Sequence, residues 1–282
     1  MNNKLINKTN TFNSLILQPN PEDNKLTKKV NGTNEQEEKV EISVVVEKPL
    51  TIYLNSQEIV TTMTLGDMPK ELSVGYLLNQ NMLNKNDDIL SVEYDDELDV
   101  VVVRTKRKTN YEKKLTKKIR TSGCAVGTVY GDMMEVFYDI KLNNKSIVKS
   151  SWMKNLSKRI TEIPSLYLKA GAIHGCAISS EDKILTYVED VGRHNAVDKI
   201  AGWMLLNNIE GRDKIFYTTG RLTSEMVIKT VQMEIPILLS RSGFTESGVS
   251  LSKEANLTLI GRMKGKRFIV LSGIHRVKFD EN

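Results

Sequence analysis

Ile184-Leu185-Thr186-Tyr187-Val188-Glu189-Asp190-Val191-Gly192-Arg193-His194-Asn195-Ala196-Val197-Asp198-Lys199 passes from a strand-like run through a polar loop into a helix. Ile184 to Val188 is mostly apolar and rich in β-branched residues, as suits a buried strand, and Glu189–Asn195 carries turn chemistry. Ala196, Val197, Ile200, Ala201, Met204 and Leu205 then recur at helical spacing. The same grammar repeats downstream: strand Ile215–Tyr217, loop Thr218–Arg221, helix Thr223–Met233, strand Ile235–Ser240, helix from about Thr245 to Ala255, strand Leu257–Ile260, a turn at Lys264-Gly265 and strand Phe268–Leu271. Strand–helix–strand units of this length predict an α/β class with a mostly parallel sheet and helices on both faces.

Upstream, a helical stretch near Met153 to Ile160 precedes Ala172-Ile173-His174-Gly175-Cys176-Ala177. Further back, Val40–Val44 and Pro49–Leu54 alternate as strands. Asp67 is placed to cap a helix starting near Pro69, and Ile89–Val103 alternates around an acidic turn. This reads as a smaller α+β portion over 40–120, a Cys-containing connector over 121–150 and the main α/β domain over 151–282. Residues 1–39, rich in Asn, Lys, Thr and Glu without apolar period, read as a disordered tail.

The composition is that of a soluble globular chain: 282 residues, 40% hydrophobic and 27% charged. No apolar run approaches the roughly 20 residues of a membrane-spanning helix, and no secretory signal opens the chain. Two cysteines cannot build a disulfide framework, so reduced thiols in the cytoplasm are expected. The net charge of +5 is unevenly placed. Arg104 to Arg120 holds nine basic residues against Glu112 alone, and Arg262 to Lys278 holds six with no acid, so the remainder is net acidic. Such patches suit an acidic or phosphate-bearing partner, and equally a solvated face.

Three loops at predicted strand ends pair an Arg with a nearby Gly: Gly192-Arg193-His194-Asn195, Gly220-Arg221, and Ser240-Arg241-Ser242 followed by Gly243. Glycine admits close backbone approach, a helix N-terminus favours negative charge, and Arg grips phosphate bidentately. Together the loops point to a phosphate-rich ligand. Cys124 lies in Ser122-Gly123-Cys124-Ala125-Val126-Gly127, directly after the first basic run. Small neighbours and nearby cations favour an accessible thiolate, the form that attacks sulfane sulfur; a structural Cys in a turn is the alternative. Cys176, at an apolar junction, reads as core packing, with a resolving thiol as the other option. Cys124, His174 and Cys176 lack a fourth zinc ligand. His194 is a candidate base, cap residue or ligand contact.

These residues resemble the FdhD/NarQ family of formate dehydrogenase accessory sulfurtransferases. The resemblance is carried by Pro49–Asn55, Gly66–Leu78, the Ser122-Gly123-Cys124 loop, Gly171–His174, Glu189–Lys199, Thr219–Met226 and Ile235–Ser242. It implies a cytidine-deaminase-like three-layer sandwich, a homodimer, and a persulfide on Cys124 loaded by a cysteine desulfurase. It also implies transfer of that sulfur to molybdenum bis(molybdopterin guanine dinucleotide) before insertion into formate dehydrogenase. The family's cofactor-binding stretch falls on Arg262-Met263-Lys264-Gly265-Lys266-Arg267. Many members carry Cys-x-x-Cys in the loop, and here the second position is Gly127; one thiolate suffices to accept and donate sulfur. A zinc deaminase is disfavoured, because Cys176 stands where a Glu would follow His174 and no Cys pair comes after. The remaining rivals are a cofactor chaperone that moves no sulfur and a nucleic-acid binder. The latter is weakened by patches with few interleaved aromatics.

Overall fold

The computed structural model describes residues 16–107 and 130–280. Its main sheet has seven strands: β1 (Ile16–Gln18), β9 (His174–Ser180), β10 (Lys183–Asp190), β11 (Lys214–Thr218), β12 (Ile237–Ser240), β13 (Thr258–Lys264) and β14 (Arg267–Ser272). Their spatial order is β1-β10-β9-β11-β12-β13-β14. Three neighbouring pairs are parallel (β1/β10, β11/β12, β12/β13) and three antiparallel (β10/β9, β9/β11, β13/β14). The sheet is therefore mixed rather than mostly parallel. The reason is local: Glu181-Asp182 join β9 to β10 as a tight hairpin, Glu181 taking the left-handed backbone that such a turn requires.

Side chains alternate across this sheet. Cys176, Ile178, Val188, Phe216, Leu238 and Leu259 face one core, which is closed by helices α5 (Arg193–Leu206), α6 (Ser224–Gln232) and α7 (Glu246–Glu254), with Phe137 of α2 (Tyr130–Asp139). Ala177, Tyr187, Tyr217, Leu239 and Ile260 face a second core, under α3 (Ser150–Glu162). The result is a three-layer α/β/α arrangement. A short helix α4 (Leu166–Ala170) follows α3, and β15 (Val277–Lys278) returns to pair with β8 (Val148–Lys149).

The smaller portion is a four-stranded sheet, β5-β4-β7-β6, formed by β4 (Lys48–Leu54), β5 (Gln57–Thr64), β6 (Ile89–Asp95) and β7 (Val100–Thr105). Leu50, Ile52, Leu54, Val101 and Val103 alternate inward onto α1 (Pro69–Asn79). Pro69 opens that helix, where its missing N–H costs nothing. α1 then lies directly on α5. A Cβ on Gly75 would overlap the Asp198 carbonyl, and one on Gly202 would overlap that of Glu71, so the two glycines set the spacing.

Residues 16–39 correct the expectation of a disordered tail. Here β1 joins the main sheet, and β2 (Thr27–Thr33) pairs antiparallel with β3 (Lys39–Val45) as a largely exposed hairpin. Residues 1–15 of that expected tail lie outside the described residues. So do 108–129, which include Cys124 and the rest of the first basic run.

Candidate functional site

The C-terminal ends of β10, β11 and β12 and the start of β9 meet at one sheet edge, where His174 pairs with Asp190, and Thr218 pairs with both Cys176 and Ser240. Hydrogen bonds stitch the loops there into one surface. The Gly175 amide donates to Thr219 Oγ1 (3.0 Å), Ser240 Oγ to the Gly220 carbonyl (2.7 Å), and Leu222 N to the Gly243 carbonyl (2.9 Å). α5, α6 and α7 all start at this edge, so three positive helix ends point the same way.

The Glu189–Lys199 motif divides in two. Most of it is a buried clamp onto the smaller portion. Asp190 accepts from Thr64 Oγ1 (2.5 Å), the Gly192 amide (3.0 Å) and Asn195 Nδ2 (3.0 Å), and pairs with Lys199 Nζ (2.7 Å). Lys199, fully buried, also reaches Asp67 (2.5 Å) and the Glu189 carbonyl (3.0 Å). Asn195 donates to the Met63 carbonyl (2.8 Å) and accepts from Thr62 (3.3 Å), while Asp198 holds Asn79 (2.6 Å) and Lys229 (2.8 Å). Burial pushes the Asp67 carboxyl up, against the pull of Lys199. The polar groups of Gly192, Asn195 and Ser240, read from sequence as ligand contacts, are thus occupied within the protein. Thr64 is an anchor that the sequence reading missed, and Asp67, expected to cap the helix at Pro69, instead holds Lys199, the N-cap position being taken by Met68 without a side-chain cap bond.

Arg193 and His194 stand apart. Arg193 is nine-tenths buried, its buried Nε has no hydrogen-bond partner, and no described acid pairs with its guanidinium. A buried unpaired cation is costly, and an anionic ligand would relieve that cost. Its side chain crosses Gly220, where an added Cβ would lie 3.3 Å from Arg193 Cβ, bringing the first two Gly–Arg loops together. His194 Nε2 meets Glu225 Oε2 at 3.0 Å, and its buried Nδ1 is unpartnered. Burial holds the His194 imidazole below its ordinary range, reinforced by Lys229 and Arg193 and opposed by Glu225. Burial lowers His174 as well, with Arg193, Arg221 and His194 adding to the effect. Both rings therefore favour the neutral form, and the charge of the edge rests on Arg193 and the exposed Arg221.

The third loop leads to the second basic stretch. Arg241 lies over the Tyr167 ring (5.7 Å), and Arg262, in left-handed backbone, donates its amide to the Ser242 carbonyl (2.8 Å) and covers Phe244 (5.4 Å). Lys264, Gly265, Lys266 and Arg267 form the exposed tip of the β13–β14 hairpin, with Gly265 at φ 61° in the turn. Met263 instead points into the core. A cavity of about 380 Å³ on one side of the tip is walled by Tyr167, Tyr187 and Tyr217, with Thr219, Arg241 and Lys264. Another of about 520 Å³ on the other side is bounded by Lys154, Lys266, Arg267 and the stacked Phe268 and Phe279. Arg276 does not belong to the basic surface. It is fully buried and donates to the Asn143 and Asn256 carbonyls (3.0 and 2.7 Å). The start of the first basic run is also neutralised, because Arg107 grips Asp87 bidentately (2.6 Å each).

Cys176 sits within β9 rather than at a strand-to-helix junction. Its thiol, fully buried against Thr218, is pushed up to about 12 by burial. A thiol held protonated there is poorly suited to nucleophilic exchange. Among the described residues, no group of three or more His, Cys, Asp or Glu is placed to hold a metal ion, and no helix is long and apolar enough to cross a membrane.

This is an α/β sandwich protein that gathers helix N-termini and unpaired arginines at one sheet edge. Residues 45–278 match the FdhD/NarQ family, and the chain belongs to that family. It is 31% identical over 253 residues to the "Sulfur carrier protein FdhD" of Listeria monocytogenes, covering 85% of this chain and 93% of that protein. The protein of the same name from Bacillus subtilis is 29% identical over 241 residues, covering 85% and 92%. In fold, the chain is similar to a formate dehydrogenase accessory protein from Desulfotalea psychrophila, with a TM-score of 0.72, 24% identity, and coverage of 89% of this chain and 98% of that one.

Proposed function

We propose that the protein is a sulfur carrier in formate dehydrogenase maturation, as the names of its relatives describe them. A thiolate at Cys124 attacks the outer sulfur of a donor persulfide, R–S–SH, on a cysteine desulfurase. The S–S bond breaks, R–S⁻ leaves with the bonding pair, and Cys124 carries the sulfane sulfur as its own persulfide. No net oxidation is required. The cargo that receives the sulfur is molybdenum bis(molybdopterin guanine dinucleotide), whose phosphates suit Arg193, Arg221, Arg241 and the Arg262–Arg267 stretch. The observation carrying this reading is the unpaired, nine-tenths buried Arg193 at an edge where three helices begin, in a chain whose relatives are named sulfur carriers.

The strand order β10-β9-β11-β12-β13, with β9 antiparallel to its neighbours, supports a cytidine-deaminase-like core. A cytoplasmic homodimer with formate dehydrogenase as client completes the reading. The test is formate dehydrogenase activity in cells whose own copy of this protein is replaced by Cys124→Ala. Activity is expected to disappear although the variant remains folded and abundant. Undiminished activity would leave a cofactor chaperone that transfers no sulfur.

A further inference from the structure

The ribbon formed by β2 and β3 has two faces of opposite character. Cross-strand pairing sets Lys28 beside Val44, Val30 beside Ile42 and Gly32 beside Val40, and the Asn34 amide closes the ladder onto the Glu38 carbonyl (3.0 Å). With a side-chain period of two, these four rows share one face. The opposite face carries Lys29, Asn31, Glu41 and Ser43, with Lys29 paired to Glu41 (2.5 Å). The first face is therefore apolar in its central rows and charged at its ends. Ile42 is 51% exposed and Val30 40%, and none of Val30, Val40, Ile42 and Val44 joins a buried apolar cluster of the described residues. A two-stranded ribbon is marginal in water unless its apolar face is covered. This one is nonetheless held at both ends. Leu26 at its base packs with Leu65, Leu166 and Ile173, and Asn34 Oδ1 at its tip accepts the Gln36 and Glu38 amides. Every residue of the apolar face lies ahead of residues 45–278, the span matched by the family.

We propose that this face is where a second copy of the chain docks, the two ribbons stacked face to face and antiparallel about a two-fold axis. The four rows are complementary to their own reverse. Turning the ribbon end for end sets Val30 over the second copy's Gly32 and Ile42 over the second copy's Val40. Gly32 is an open notch, since a Cβ there would meet only Val40, at 3.9 Å. The same turn brings Lys28, which pairs with no described acid, beside the second copy's Glu38, and symmetry makes that contact twice. A wholly basic or wholly acidic partner would satisfy one end of the face and repel the other, whereas a second copy satisfies both. The face spans about 20 Å by 10 Å, far less than the roughly 800 Å² per partner of a standard interface, so the association is concentration-dependent. The inference rests on the homodimer reading above and names its contact surface.

The experiment is sedimentation velocity of the full-length protein over a range of concentrations. Wild type should pass from monomer to dimer as concentration rises. Ile42→Lys, at an exposed position that leaves both cores intact, should weaken the dimer by at least about tenfold without lowering the melting temperature of the monomer. Lys28→Glu and Glu38→Lys should each weaken it about three- to tenfold. The double variant Lys28→Glu/Glu38→Lys restores opposite charges and should recover to within about twofold of wild type. A double variant no tighter than the single ones would overturn the antiparallel docking. A dimer whose affinity is unchanged by Ile42→Lys would overturn the ribbon interface and leave the homodimer reading standing on another surface. Wild type that stays monomeric at every concentration would overturn both.

Discussion

The Glu189–Lys199 motif and the Lys264–Arg267 hairpin tip both read from sequence as ligand-binding stretches, yet they are built in opposite ways. In the motif, Glu189, Asp190, Asn195, Asp198 and Lys199 are buried and hydrogen-bonded to one another or to the smaller portion. At the tip, Lys264, Lys266 and Arg267 are exposed and pair with no described acid. Charged residues in a recognisable string thus serve two ends. Where every partner is internal the string holds the fold, and where a cation lacks one it is available to a ligand. Arg193 lies within the first string but behaves as the second.

Variants can break this contrast. Lys199→Ala leaves Asp67 and Asp190 buried without a counter-charge, and should cost about 3–5 kcal/mol by denaturant unfolding; a loss under 1 kcal/mol would mean the clamp does not hold the two portions together. Gly75→Ala forces α1 away from α5 and should cost on the order of 1–3 kcal/mol, read as a lower melting temperature. A neutral result would show the helices separate easily.

Acidification sharpens the contrast at the histidines. His174 and His194 are depressed in the folded state, so the unfolded chain takes up protons first as pH falls below about 6.5. Stability of the free protein should therefore be full above that value and decline below it. Pyrophosphate binding should strengthen over the same range, because a bound anion offsets the arginines that depress His174. Binding that is flat across this range would remove His174 from the ligand edge. The smallest stability effect belongs to the tip: Lys264→Ala with Lys266→Ala should change folding by less than about 0.5 kcal/mol per site. GDP affinity should nonetheless fall and become less salt-dependent.

Much of the fold was legible because apolar period and turn chemistry agree. The strands and helices downstream of Ile184 fall within a few residues of where spacing puts them. Three features were not. The strand β2 is largely exposed and mostly polar, so Thr27–Thr33 carries no alternation to distinguish it from a tail, whereas its partner β3 was legible in the alternation of Val40–Val44. The direction of β9 depends on the two-residue turn Glu181-Asp182, and without that turn His174-Gly175-Cys176 resembles a junction. The tyrosine cavity draws Tyr167, Tyr187 and Tyr217 from separate elements, although the placement of Tyr187 and Tyr217 on one sheet face follows from strand parity. Within the candidate site, Arg193, Arg221 and Arg241 were legible as cations beside glycines at strand ends. Which neighbours were already paired is a tertiary fact.

The most direct measurement is intact-mass spectrometry of the full-length protein after incubation with a cysteine desulfurase and cysteine. Wild type, Cys124→Ala and Cys176→Ala would be compared before and after reductant. The account predicts a reductant-labile gain of sulfur in wild type and Cys176→Ala that is absent in Cys124→Ala. A gain that persists in Cys124→Ala, or none in wild type with its own desulfurase, would contradict sulfur carriage on Cys124.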